Sequence, residues 1–261
     1  MSESYLNITL VQCNLTWEQP DKNRQHLSDL IRQLPAETDL VVFPEMFATG
    51  FSMHVEHWAE PMDGETVSWM KQQADEYQAC IAGSLMIREG ESFFNRFVFV
   101  HPDGRLDYYD KRHLFSMGEE HAHFKPGQQR KIIQIKSFRI LPLVCYDMRF
   151  PVFSRNRQDY DLLINIANWP ATRREVWQTL LKARAIENQA YVAGVNRIGT
   201  DDNGIKYLGD TSLIDPKGKT IKVASEGKEE CVSFRLAKGP LDRFRKSFPV
   251  LPDADDFDLE L

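Results

Sequence analysis

The stretch Ile140-Leu141-Pro142-Leu143-Val144-Cys145-Tyr146-Asp147 decides the fold. Its apolar, partly β-branched run predicts a buried strand. The run stops at a cysteine and passes into a short helical pattern over Arg149–Asn156. Strand, sharp turn and helix make the unit of α/β sheets, and they present the turn residue at the carboxyl edge, where ligand sites form. The same geometry carries the nucleophile elbow of many hydrolases, although the G-x-S-x-G pattern is absent. At a helix start, free N–H groups and the helix dipole favour the thiolate of Cys145. A buried structural cysteine fits the same residues.

Similar runs recur on either side, at Ile8–Val11, Leu40–Phe43, Ile81–Ile87, Phe97–Val100, Leu162–Ile166, Tyr191–Val195, Ser212–Ile214 and Thr220–Val223. Each predicts a strand. Several are apolar on successive residues, the pattern of strands covered on both faces. Helical spacing lies between them. Leu27, Leu30, Ile31 and Leu34 mark one face of a helix over Asp21–Leu34, and Val67, Trp69, Met70 and Tyr77 mark another over Thr66–Ala79. A third helix is predicted over Glu175–Gln189, where Thr172 and Glu175 spell a capping box ahead of Val176, Leu180, Ala183 and Ile186. Asp103-Gly104 and Pro216-Lys217-Gly218 read as hairpin turns. The pattern is α/β with added hairpins. Neither a linker nor a repeat is visible, which predicts one domain over residues 1–261. It ends in a short acidic tail, Pro252-Asp253-Ala254-Asp255-Asp256, read as a solvated arm.

Composition narrows the function. The chain has 261 residues, 42% hydrophobic and 27% charged, enough apolar material for a large core. Its 32 basic and 38 acidic residues leave a net charge of −6, without the basic footprint of a nucleic-acid binder. Cys13, Cys80, Cys145 and Cys231 are dispersed and form no C-x-x-C pair, which points to free thiols in a reducing compartment. The N-terminal MSESYLNITL has no basic segment ahead of an apolar core. No apolar run approaches the ~18 residues of a membrane helix. The expectation is a cytoplasmic protein whose partners include neither membrane nor nucleic acid.

Two further segments carry chemistry. In Val41-Val42-Phe43-Pro44-Glu45 a strand runs into a proline, which cannot extend a central ladder, so Glu45 stands at the strand end. A surface or loop-capping glutamate fits as well. Tyr108-Tyr109-Asp110-Lys111-Arg112-His113-Leu114 crowds charges beside aromatics, and Lys111 there is a candidate fixed cation. A solvated basic loop is the alternative. Together the three segments fit one reaction. Cys145 attacks an amide or nitrile carbon, and Glu45 carries the thiol proton to the leaving nitrogen. Lys111 and a backbone N–H hold the oxyanion. Glu119, Glu120, His121 and His123 also suggest a metal set. Histidines at i and i+2 share a face only on a strand, and no third group with ligand spacing appears, so no metal is expected.

Phe43-Pro44-Glu45, Tyr109-Asp110-Lys111-Arg112-His113-Leu114 and Cys145-Tyr146-Asp147-Met148-Arg149-Phe150-Pro151, in this order, resemble the signature segments of the nitrilase, or carbon–nitrogen hydrolase, superfamily. The resemblance extends to Ala183-Arg184-Ala185-Ile186-Glu187-Asn188-Gln189 and Asp215-Pro216-Lys217-Gly218, and so covers nearly the whole chain. It implies a four-layer α-β-β-α sandwich, a homodimer joined through outer helices, no cofactor, and Glu45, Lys111 and Cys145 as the catalytic set. It adds a second glutamate that would hold Lys111 and the substrate nitrogen. The distance to Pro126-Gly127 favours Glu120, with Glu119 as the fallback. Arg184 and Glu187 are implied to support the fold or dimer.

Within the superfamily the ω-amidase branch is resembled most, through Cys145–Phe150 and Lys111-Arg112-His113-Leu114-Phe115. That implies a small-molecule substrate: the terminal amide of 2-oxoglutaramate or 2-oxosuccinamate. An N-carbamoyl compound, a nitrile and a simple aliphatic amide are the rivals. An α-carboxylate on the substrate calls for an arginine. Arg173 follows Ala167-Asn168-Trp169-Pro170 and is the first choice, with Arg149 and Arg174 as alternatives. Phe47, Tyr146 and Trp169 are candidate pocket walls, and plain core packing is the competing explanation. Two non-hydrolytic readings remain, a catalytically silent binding protein on the same fold and a thiol redox sensor. No resolving cysteine lies near Cys145 in the chain.

Overall fold

The computed structural model describes residues 4–260; Met1–Glu3, at the head of the N-terminal segment, and Leu261 lie outside them. In chain order the elements are β1 (Tyr5–Gln12), α1 (Pro20–Ile31), β2 (Leu40–Val42), α2 (Val55–Trp58), α3 (Glu65–Tyr77), β3 (Cys80–Glu89), β4 (Ser92–Val100) and β5 (Leu106–Asp110). Next come α4 (Glu120–His123), β6 (Ile133–Ile135), β7 (Phe138–Val144), α5 (Pro151–Ser154), β8 (Leu162–Ala167), α6 (Arg174–Asn188) and β9 (Tyr191–Asn196). The chain finishes with β10 (Ile198–Thr200), β11 (Lys206–Leu208), β12 (Ser212–Ile214), β13 (Thr220–Val223), β14 (Glu230–Ala237) and α7 (Lys238–Ser247).

Two six-stranded sheets dominate, in the orders β14-β1-β2-β3-β4-β5 and β13-β12-β9-β8-β7-β6. The central pairs β1–β2, β2–β3, β7–β8 and β8–β9 are parallel, and antiparallel strands flank them. The sheets are faced by helices, giving the α-β-β-α sandwich. The apolar pattern explains it. Leu40 and Val42 share a core with Ile140 and Phe99, whereas Val41, between them, joins Leu27 and Met70 from α1 and α3. Each central strand therefore buries both faces, which is why its apolar residues run consecutively. On the other sheet α6 packs on β9, with Trp177 and Leu181 fully covered. Each such side chain contributes roughly 1.5–3 kcal/mol on burial.

Local details differ from the sequence expectations. The predicted helix over Arg149–Asn156 is a 3₁₀ turn, Cys145–Arg149, followed by the single-turn α5. The predicted Thr172 capping box is absent. A 3₁₀ turn over Ala171–Arg173 moves the start of α6 to Arg174, and Arg173 becomes its uncapped boundary residue. The acidic stretch over residues 252–256 is largely exposed, while residues just after it are tied down. Arg157 donates to the Phe257 carbonyl at 3.0 Å and lies over its ring, and Leu259 packs on the core. The acidic residues Asp255 and Asp256 stay in water.

Candidate active site

The carboxyl ends of β2, β5, β7 and β8 meet at one end of the sandwich. Glu45 follows β2, Lys111 follows β5, Cys145 follows β7 and Asn168 follows β8. Glu45, Lys111 and Glu120 are all buried. Lys111 Nζ donates to Glu45 Oε1 at 2.8 Å, and to Glu120 Oε1 and Oε2 at 3.0 and 2.8 Å. Glu120 also accepts the Phe115 N–H at 2.6 Å, and this anchors α4 to the Lys111 loop. Glu119 sits one residue outside α4 in the left-handed region, and Glu120 is the residue turned into the cluster. With its carboxylate on Lys111, Glu120 does not join His121 and His123, which are exposed.

Glu45 is gripped from both sheets. Asn95 on β4 donates to Oε1 at 2.9 Å; the Asn168 N–H donates to Oε2 at 2.9 Å, and Asn168 Nδ2 to the Glu45 carbonyl at 2.7 Å. Sequence reasoning missed the part played by both asparagines. The available signal was a single amide inside the apolar strand Phe94–Val100, because a buried polar group needs partners.

Cys145 adopts φ +46°, a left-handed conformation unfavourable for a residue with a Cβ. Such strain concentrates at functional turns and is held by the surroundings. Here Asp147 holds it. Its Oδ2 accepts the Val144 N–H at 3.0 Å and the Tyr109 hydroxyl at 2.8 Å, and its Oδ1 accepts the His113 N–H at 2.9 Å. Behind the turn, Arg184 donates to the Met148 carbonyl and pairs with Glu187 at 2.9 Å.

Electrostatics here correct one expectation. Burial pushes the Cys145 thiol well above its ordinary value; the Glu45 carboxylate, hydrogen-bonded to it, pushes the same way and Lys111 opposes. Burial and the Glu45 charge both work against the thiolate that a helix start would favour. Burial also works against the charge of Lys111, but Glu120 and Glu45 outweigh it and hold the ammonium above the usual lysine range. Burial raises Glu120 as well, against the pull of Lys111 and with a push from Glu45.

Cys145 opens onto a cavity of about 430 Å³. Tyr146, Arg149, Trp169 and Arg173 line it, along with Phe115 and Tyr207. Trp169 touches both arginines. Its indole N–H donates to the Arg173 carbonyl at 2.8 Å, and the Arg149 guanidinium lies 5.2 Å from its ring. Arg173 lies 5.4 Å from the Phe115 ring. Among the described residues neither arginine has a carboxylate partner. Arg174 turns the other way, onto Asp210 and Glu226 at 2.7 and 2.8 Å. Phe47 is not a pocket wall. It is fully buried beneath α3, between Phe43 and Trp69, because the left-handed turn at Met46 returns the chain into the outer core.

The family model described as carbon–nitrogen hydrolase matches residues 7–244. The chain is 46% identical over 256 residues to the omega-amidase YafV of Escherichia coli (strain K12), covering 97% of this chain and 98% of that protein. It is 29% identical over 252 residues to the 2-oxoglutaramate amidase of Bacillus subtilis, covering 94% and 96%. A crystal structure of XC1258 from Xanthomonas campestris, described as a CN-hydrolase superfamily protein with an arsenic adduct in the active site, superposes with a TM-score of 0.95. Identity there is 43%, over 98% of this chain and 99% of that one. With the motifs, the sandwich and the buried charge cluster all pointing the same way, the chain belongs to the carbon–nitrogen hydrolase family.

Proposed function

We propose that this protein is an ω-amidase, which hydrolyses the terminal amide of 2-oxoglutaramate or 2-oxosuccinamate to the 2-oxo diacid and ammonia. Full-length similarity to proteins named for that activity supports the amidase reading. The observation that carries the substrate class is a pair of guanidiniums, Arg149 and Arg173, on the cavity that holds Cys145, neither with a carboxylate partner among the described residues. An unpaired cation on a cavity wall favours an anionic ligand, and a guanidinium matches a carboxylate fork.

In this reading Glu45 takes the Cys145 proton as sulfur bonds to the amide carbon, and the carbonyl becomes an oxyanion. Lys111, already charged, stabilises that oxyanion together with an opening N–H of the 3₁₀ turn. Glu45 returns the proton to nitrogen, the C–N bond breaks and ammonia leaves a thioester. Water, deprotonated by Glu45, then attacks the thioester, and sulfur departs to regain its proton. Glu120 keeps Lys111 charged and oriented throughout. Tyr146 and Trp169 shape the cavity.

Ammonia release from 2-oxoglutaramate, 3-cyanopropanoate and N-carbamoyl-β-alanine tests the substrate. Turnover of the first is expected. Turnover of either other compound, with none of the first, would overturn the assignment.

The protein is further read as a cytoplasmic homodimer acting as one catalytic domain. Exposed Val152 on α5 and Ile186 on α6 supply apolar surface on outer helices. The described cysteines are free, as in a reducing compartment. No helix among the described residues is long and apolar enough to cross a membrane. Sedimentation of the wild type beside Ile186→Glu tests the association: a monomeric wild type would reject it.

A further inference from the structure

Asn95 stands in the middle of β4 and is fully buried. Its Nδ2 donates to Glu45 Oε1 at 2.9 Å and to Glu120 Oε1 at 3.0 Å. Lys111 Nζ donates to the same two oxygens, at 2.8 and 3.0 Å. Four hydrogen bonds thus close a ring in which two nitrogens alternate with two oxygens. We propose that Asn95 is a positioning residue for the hydrolysis, closing this ring so that Glu45, Glu120 and the Lys111 ammonium between them stay in one fixed arrangement. The proposal rests on the roles assigned above to Glu45 and Lys111.

The charge balance gives the reason. Two carboxylates and one ammonium leave one negative charge in excess in a buried site. Two such carboxylates repel, and the repulsion is eased either by a proton or by donors. Asn95 supplies one hydrogen to each carboxylate and adds no proton, so Glu45 stays able to accept one. An ammonium has three hydrogens. At rest Lys111 Nζ meets three carboxylate oxygens, Glu45 Oε1 at 2.8 Å and Glu120 Oε1 and Oε2 at 3.0 and 2.8 Å, so a hydrogen that turns to an oxyanion must leave one of them, and Asn95 goes on donating to both carboxylates when it does. Without Asn95, both carboxylates lean on Lys111 alone and hold its hydrogens against that turn.

Both oxygens of Glu45 are held: Oε1 by Lys111 and Asn95, and Oε2 by the Asn168 N–H at 2.9 Å and its Nδ2 at 3.4 Å. Asn95 Oδ1 itself is buried and has no partner among the described residues. Leucine would fill a similar volume with no unsatisfied atom, so the amide is retained for its donor.

The test compares two variants of the full chain. Asn95→Leu keeps the volume and removes the donor; Asn95→Ser keeps one hydroxyl. Relative to wild type, kcat of folded Asn95→Leu is expected to fall about 10²-fold, the scale of a misplaced catalytic group, with KM within about threefold. The acid limb of its kcat/KM profile moves to higher pH, because carboxylates without a shared donor bind protons more readily. Asn95→Ser falls between the two. A folded Asn95→Leu with kcat and acid limb unchanged overturns the proposal, as does a lowered Tm as its only effect. If Asn95→Leu does not fold, an unshifted acid limb in Asn95→Ser overturns it. Glu45→Gln separates the two levels. An active Glu45→Gln rejects the underlying catalytic roles, whereas an inactive one beside a normal Asn95→Leu rejects only the ring.

Discussion

The Tyr109 hydroxyl, on β5 of one sheet, donates to Asp147 Oδ2 at 2.8 Å, beneath the turn that carries Cys145 on the other. This bond ties the lysine strand to the nucleophile turn. Tyr109→Phe removes the donor, while Asp147 keeps the N–H groups of Val144 and His113. Urea denaturation is expected to show a loss of about 1.5–3 kcal/mol, the scale of one buried hydrogen bond to a charged group. An unchanged midpoint would show that the bond contributes nothing net.

Cys145→Ala is expected to fold and to release no ammonia, and no thioester should be trapped in it. Glu45→Gln is expected to lose about 10²–10⁴-fold in turnover as the general base disappears. Its effect on the sulfur runs the other way. Burial raises the thiol and the Glu45 charge raises it further, so removing that charge lowers it. The pH profile of alkylation should therefore shift to lower pH in Glu45→Gln even as catalysis collapses. A shift to higher pH would contradict the assigned electrostatics.

Arg173→Met and Arg149→Met test recognition of the substrate carboxylate. A hydrogen bond to a charged group contributes about 1.5–3 kcal/mol, or roughly 10–100-fold in kcat/KM for an anionic amide. Slow turnover of a neutral aliphatic amide should be unchanged in the same variants. Equal losses on both substrates would mean that the arginines shape the cavity and do not bind the carboxylate.

Asp161 gives the fold a pH limit. It accepts hydrogen bonds from Lys238 at 2.8 Å and from Arg139 and Arg245 at 3.0 Å, and these partners lower its pKa from 3.8 to about 2 despite burial. A carboxyl held below its unfolded value contributes stability that is full above pH 4 and disappears as pH falls toward 2. The contribution is about 2 kcal/mol. Wild type should lose that much more than Asp161→Asn between pH 5 and 2 in urea titrations. Parallel curves would reject it.

The layered fold was legible because its strands are apolar on consecutive residues, and only a sheet covered twice asks for that. β14 was not legible: its sequence Glu230–Ala237 mixes exposed charge with isolated apolar positions, as an edge strand facing water on one side does. Glu45, Lys111 and Cys145 could be picked out because each sits just past a strand. Phe47 and Arg174 show where such reading stops. Phe47 is two residues from Glu45 and Arg174 adjoins Arg173, yet each turns away from the cavity. Proximity along a chain does not say which face a side chain takes. Asn95 left almost no trace, since one asparagine in a strand gives no hint of two carboxylates waiting across the barrier between distant segments.

Burial and a neighbouring carboxylate that both raise the Cys145 thiol have a consequence for the idle enzyme. Peroxides and stray electrophiles attack thiolates, and both influences work against that form. Its nucleophile should outlast exposed low-pKa cysteines under oxidative stress, so that durability and latency come from the same buried negative charge.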